Sequence, residues 1–342
     1  MRNARRRDAI RARSLGLVVG LAALVVALCV SARAQTVSLD DLLSAVVHIK
    51  TSINPDGRSV ANLGRTRDGT GIIIDNDGLI LTIGYLMVEA ESAEVITGDG
   101  RAVPANVVGY DHESGFGLLR AMMPLKMRPL ALGHSADLKE KDPVVIVGHG
   151  GRGRVARAEV VSRRAFAGGW EYLLDDAIFT WPPYPDWSGA ALIDRSGKLV
   201  GVGSLVLKDA SGRGDGPGNM FVPIDRLTPI LADLIADGKI SGPGRPWLGL
   251  ITQELGGRLI VSAVAPDGPA AKAGIKHGDI IESVGSAGGD APKDMEDFYR
   301  RIYAQGAAGV TIPLDVRRAD ESRHFDVKSM NRLDHLRLKS TY

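Results

Sequence analysis

The 342-residue sequence has one cysteine, Cys29, and only 5% aromatic residues. A single thiol cannot form an intramolecular disulfide, so no such staple supports the fold. The seven histidines are scattered, with no pair at a metal-ligand spacing such as H-E-x-x-H, so no metal site is expected. An excess of one charge is also missing. The formal net charge is +2, but seven basic residues and one acidic residue fall within residues 1–34. The remainder carries 35 basic and 39 acidic groups and sits near −4. A protein that works by neutralising phosphates would be basic, so no nucleic-acid partner is expected. Apolar residues at 44% and charged residues at 24% describe an ordinary globular chain of about two domains.

The only long apolar run, Leu15 to Val30, follows Arg2, Arg5, Arg6, Arg7, Arg11 and Arg13. Ala32-Arg33-Ala34 then precedes Gln35 as an A-x-A cleavage pattern, so residues 1–34 read as a signal peptide. The implied destination is the periplasm or the exterior. The run is slightly short of a full span, which leaves an uncleaved anchor as the lesser alternative. After cleavage no membrane span and no cysteine remain. Leu28, just before Cys29, does not suit a lipidation site.

What is abundant is glycine, at 42 residues, and with so few aromatics this suits a turn-rich β protein. Short apolar runs recur at Ala45–Ile49, Gly71–Ile74, Leu79–Thr82, Val103–Val108, Val144–Val147 and Lys198–Ser204, with turn signals between them. Asn76-Asp77-Gly78 reads as a tight hairpin. This spacing predicts a β-barrel or sandwich. Leu227, Ile230, Leu231, Leu234 and Ile235 predict a helix over 225–236, with Thr228 as cap and Pro229 in its first turn. A second helix is predicted near Lys293–Tyr303. Gly242-Pro243-Gly244-Arg245-Pro246 has a linker's composition. It separates a domain at 38–240 from one at 247–330, with 241–246 between and a frayed polar tail at 331–342. Gly148, Gly150 and Gly153 satisfy G-x-G-x-x-G, but strand-like alternation follows them. A glycine loop is expected there rather than a dinucleotide site, and no cofactor.

Several segments occur in an informative order: Gly69-Thr70-Gly71-Ile72-Ile73-Ile74-Asp75, Asp77-Gly78-Leu79-Ile80-Leu81-Thr82, Asp99-Gly100-Arg101, Val108-Gly109-Tyr110-Asp111, and Ser188-Gly189 before Ala190–Asp194. Trp247-Leu248-Gly249-Leu250 closes the series. Together they resemble the HtrA (Deg) family of secreted serine proteases over about residues 38–330. The resemblance implies a mainly β fold: a trypsin-like double β-barrel followed by a PDZ domain. It also implies a catalytic triad, because a serine hydroxyl is a weak nucleophile without a histidine base and a carboxylate to orient it.

Here the chain departs from the family. Against T-N-x-H-V it reads Thr82-Ile83-Gly84-Tyr85-Leu86, which puts Tyr85 at the histidine position. Against T-D-h-A-h-L it reads Ser114-Gly115-Phe116-Gly117-Leu118-Leu119, which puts Gly115 at the aspartate position. Ser188 keeps the nucleophile position. The pattern G-N-S-G-G-P becomes Asp186-Trp187-Ser188-Gly189-Ala190-Ala191, so a negative charge replaces a glycine of the oxyanion region, Asp186 and Trp187. A tyrosine of ordinary pKa, about 10, is a poor base at neutral pH. His112, beside Asp111 and Glu113, is the nearest other base by sequence and is expected to face solvent. The reading is a proteolytically inactive relative. The alternative is an active serine endopeptidase using Ser188 with a non-standard base. A third idea gives Tyr85, Asp186 and Trp187 a former cleft that holds a different ligand.

The second domain keeps its pattern. Gly257–Val261, Pro266–Ile275 and Gly278-Asp279-Ile280-Ile281 resemble HtrA-type PDZ domains. Ala270–Ala273 should form a short helix ended by Gly274 in the left-handed region. The resemblance puts the carboxylate-binding loop and its strand at Trp247, Leu248, Gly249, Leu250 and Ile251. Free backbone N–H groups there would take a terminal carboxylate, and Leu250–Gln253 would pair with the peptide. The implied partners are peptide C-termini or unfolded polypeptides and an active HtrA-type relative. Family habit implies a homotrimer.

Overall fold

A computed structural model describes residues 38–286 and 288–338. The expected signal peptide at 1–34, with Cys29, and the last four residues lie outside this range.

Six strands come first: β1 Val46–Ile53, β2 Thr66–Ile73, β3 Leu79–Ile83, β4 Ala90–Ile96, β5 Ala102–Tyr110 and β6 Phe116–Ala121. They close into a barrel in the order β1-β2-β3-β6-β5-β4. Asn76-Asp77-Gly78 makes the β2–β3 turn, in which Asp75 accepts the N–H groups of Asp77 and Leu79. Six more strands close a second barrel: β7 Pro143–Val147, β8 Val155–Gly168, β9 Tyr172–Trp181, β10 Ala191–Ile193, β11 Leu199–Leu207 and β12 Gly218–Pro223.

Successive strand residues face opposite sides, and this divides the core into three. Ile73, Ile80 and Leu119 fill the first barrel. Ile146, Leu192 and Phe221 fill the second. Their chain neighbours Ile72, Leu81 and Leu118 turn the other way and join Phe179, Ala191, Val202 and Val222 in a cluster shared by both barrels. The Ser188 loop runs along this seam.

The final sheet has the order β13-β14-β15-β16-β17, with β13 Leu250–Leu255, β14 Arg258–Val264, β15 Ile280–Val284, β16 Thr311–Arg318 and β17 Glu321–Lys328. A short helix Pro269–Ala273 ends at Gly274, whose φ of 97° is left-handed, as expected. The longer helix, Met295–Ala304, buries Phe298, Tyr299 and Ile302 and is capped by the Asp294 side chain.

Two elements differ from expectation. The helix at 225–236 is shorter: a 3-10 turn covers Ile224–Arg226 and the α-helix runs Leu231–Asp237. Pro229 has no N–H and disfavours a helical Thr228 before it, so the ladder begins beyond the proline. The tail is not frayed through residue 338. It forms a helix at Arg332–His335, and the N–H of Arg337 donates to buried Glu89. Residues 241–246 are also engaged, with Arg245 paired to Glu113 and donating to the Leu173 carbonyl. No helix among the described residues is long and apolar enough to cross a membrane.

Candidate functional site

The Ser188 loop is fixed by its main chain. Thr70 N–H donates to the Ser188 carbonyl, Gly189 N–H to Gly203 O and Ala190 N–H to Trp187 O. Tyr85, from the turn after β3, reaches across the seam. Its Oη lies within hydrogen-bond distance of Ser188 Oγ (2.8 Å) and of the Ser204 carbonyl (3.0 Å); the carbonyl can only accept, so the single phenol proton serves it and the Ser188 hydroxyl can donate to Oη. Burial pushes the Tyr85 pKa up to about 12, against the pull of hydrogen bonds with Ser188 and Trp187. The phenol therefore keeps its proton. A general base must take up the serine proton and hold it, which a phenol that is itself protonated at neutral pH does not do.

Gly115 contributes no carboxylate. Its φ is 86°, and its carbonyl accepts the N–H of Gly84 (2.6 Å). Nearby Asp111 is buried and occupied by the N–H groups of Glu113 and Ser114. The negative charge that the sequence puts at Asp186 is paired with Arg154.

His112 does not face solvent freely. It is half-buried, with Nδ1 3.2 Å from Tyr110 Oη and Nε2 2.7 Å from Arg332 Nη1. A guanidinium has only donors, so Nε2 is an acceptor there. Burial, then the charge of Arg332, holds its pKa well below the usual value. The contact with Arg332 joins residues 220 positions apart, which the local sequence cannot signal. No histidine is hydrogen-bonded to Ser188 among the described residues.

A second histidine group escaped the sequence reading because three separate elements supply it. His48 on β1 lies opposite Thr70 and meets Asp68 of β2 diagonally, and His149 follows β7; the ligand atoms of His48, Asp68 and His149 all lie within 4.8 Å of one another. The His48 and His149 rings stack at 4.0 Å and 3°. Imidazole lone pairs lie in the ring plane, so parallel rings do not converge on one point. His149 Nδ1 is also 3.0 Å from Thr70 Oγ1.

The groove at Trp247–Ile251 differs most from expectation. Its N–H groups are not free. Leu248 N–H donates to Glu171 Oε2 (2.8 Å) and Leu250 N–H to Glu171 Oε1 (2.6 Å). Glu171 belongs to the tip of the β8–β9 hairpin. Thr252 N–H, on the outer edge of β13, donates to Gly169 O (2.8 Å). Leu173 packs into the same cluster as Leu248, Leu250 and Phe298. Tyr299 ties the tip down: its Oη donates to Gly168 O (2.9 Å) and accepts the N–H of Glu171 (3.2 Å). Burial raises the Glu171 pKa to about 7, opposed by the backbone N–H groups of Leu248, Leu250 and Gly249 and by the charge of Arg332. Trp247 pairs its main chain with Met330, while half-buried Ile251 accepts from Ser262 Oγ (3.0 Å).

Two family models match the chain: a trypsin-like peptidase domain over residues 69–202 and a PDZ domain over residues 246–329. A probable periplasmic serine endoprotease DegP-like of Bartonella henselae is 29% identical over 290 residues, which cover 80% of this chain and 56% of that protein. Protease Do-like 1, chloroplastic, of Arabidopsis thaliana is 30% identical over 284 residues, 76% of this chain and 62% of that one. Serine protease PepD of Mycobacterium tuberculosis is 29% identical over 276 residues, 74% of this chain and 58% of that one. The chain thus spans between about half and three-fifths of the length of these relatives. Among solved structures, an HtrA-type protease AlgW with decapeptide shares the fold at a TM-score of 0.51 and 22% identity, covering 89% of this chain and all of that one.

Proposed function

Because the chain belongs to the HtrA family of serine endoproteases with a PDZ domain, we propose that it is a non-catalytic member, active as a binding module in the periplasm or outside the cell. Its ligands are peptide C-termini or unfolded polypeptides, taken by the groove at Trp247–Ile251. An active HtrA-type relative is a natural partner, and a trimer the natural assembly for this barrel pair. One observation carries the inactive reading: the side chain 2.8 Å from Ser188 Oγ is the phenol of Tyr85, at the position that the family resemblance gives to the histidine base.

Removing the base removes most of the acceleration, since triad members act as a unit. Gly115 leaves no carboxylate to orient a substitute. The competing reading, an active endopeptidase with His112 as base, is opposed by the engagement of both His112 nitrogens with Tyr110 and Arg332.

A serine-directed fluorophosphonate tests this. The expected result is no labelling of Ser188 under conditions that label an active HtrA-type protease. Labelling that disappears in Ser188→Ala overturns the reading.

A further inference from the structure

We propose that the tip of the β8–β9 hairpin is an intramolecular ligand of the PDZ groove, with the Glu171 carboxylate in place of a peptide's terminal carboxylate, and that an incoming chain end must displace it. This rests on the reading of the groove as a peptide site.

The chemistry of the contact matches terminal-carboxylate capture. Backbone N–H groups of Leu248 and Leu250, one residue apart in the loop, each serve one oxygen of the same carboxylate. No lysine or arginine forms an ion pair with Glu171 among the described residues. An acidic side chain held by backbone donors satisfies the same demand as a chain end in such a loop. The main chain adds a second likeness, because Gly169 O accepts from the β13 edge at Thr252, as an added strand would. The approach is so close that a Cβ at Gly169 would lie 2.3 Å from the Thr252 carbonyl. Leu173, two residues past Glu171, supplies an apolar side chain to the domain's core cluster.

The hairpin is strained for the purpose. Gly168 pairs with Tyr172, which leaves a three-residue tip, and Glu171 in it has φ 58°. Glycine is the usual residue at the left-handed position of such a tip. A glutamate held there, buried and in no ion pair among the described residues, points to a contact that the surroundings impose. The strain and the buried carboxylate both favour release of the tip once another carboxylate competes. Binding to a mostly closed groove is weakened by the fraction that is open.

The test is fluorescence anisotropy on the purified protein. The probe is a fluorescein-labelled decapeptide ending in valine with a free carboxylate, with its C-terminal amide as control. Glu171→Gly removes the carboxylate and relaxes the tip. Gly169→Ala leaves the carboxylate and pushes the tip off β13. Both are expected to bind the free acid about tenfold or more tighter than the unmodified protein, with no gain for the amide. Equal affinity in all three overturns the displacement and leaves the groove a peptide site. No binding of the free acid by any of them, with circular dichroism unchanged, overturns the peptide-site reading itself.

Discussion

Gly189→Ala is expected to destabilise the protein by at least about 3 kcal/mol. Gly189 has φ 75°, a conformation that costs a side-chain-bearing residue about 1 kcal/mol or more by itself. Steric conflict adds to it. The new Cβ would lie 2.0 Å from the Thr70 carbonyl and 2.8 Å from Thr82 Oγ1. The Thr70 carbonyl cannot retreat cheaply, because it accepts from Thr82 Oγ1 (2.8 Å) while the N–H of Thr70 donates to Ser188 O. The same contacts hold the Ser188 loop against the first barrel. Gly214→Ala is the control: its φ is 83° but nothing lies within 4 Å of the added carbon. It should cost only about 1 kcal/mol. Urea unfolding of the two variants gives the comparison. A Gly189→Ala midpoint no lower than that of Gly214→Ala would show that the loop is not locked to the seam.

Asp279→Asn is expected to cost about 2–4 kcal/mol at neutral pH. Asp279, just before β15, is fully buried. Arg318 binds it through Nε and Nη2, both at 2.7 Å, and Lys276 N–H adds a bond at 2.8 Å. Burial raises the carboxyl pKa, but these hydrogen bonds and the Arg318 charge outweigh it and leave the pKa below the usual value. A carboxyl whose folded pKa lies below its unfolded pKa stabilises the fold above the unfolded value, near pH 4. That contribution is lost as pH falls through the folded value. The two proteins should therefore converge in stability as pH drops below about 4. A gap that stays constant from pH 7 to pH 3 would mean that the carboxylate charge does not support the domain.

Much of the fold was legible because short patterns dictate it. Asn76-Asp77-Gly78 fixes the β2–β3 turn through the Asp75 side chain, and Ala270–Gly274 forms its short helix and left-handed stop. The helix near 225–236 was overextended because an apolar stripe persists across Pro229, where the backbone cannot follow it. The tail was misread for another reason. Its polar composition says nothing of Glu89, Trp170 or His112, which hold Arg337 and Arg332 from more than a hundred residues away.

The candidate site divides in the same way. Tyr85, Gly115 and Ser188 stand in local patterns that a family resemblance can align, although only the structure brings the Tyr85 and Ser188 oxygens to 2.8 Å. Glu171 stands in no motif. Its only local sign is an acidic residue at the end of Gly168-Gly169-Trp170-Glu171, a hairpin tip that otherwise invites glycine. That its carboxylate lies on the N–H groups of Leu248 and Leu250 is a property of two domains packed together. The His48–Asp68–His149 group is hidden likewise, since β1, β2 and the loop after β7 each supply one member.

The most direct measurement is digestion of casein by the purified protein beside its Ser188→Ala variant, with an active HtrA-type protease as reference. The expected result is no turnover by either form. Turnover by the unmodified protein that vanishes in Ser188→Ala would contradict the account and require a base other than Tyr85.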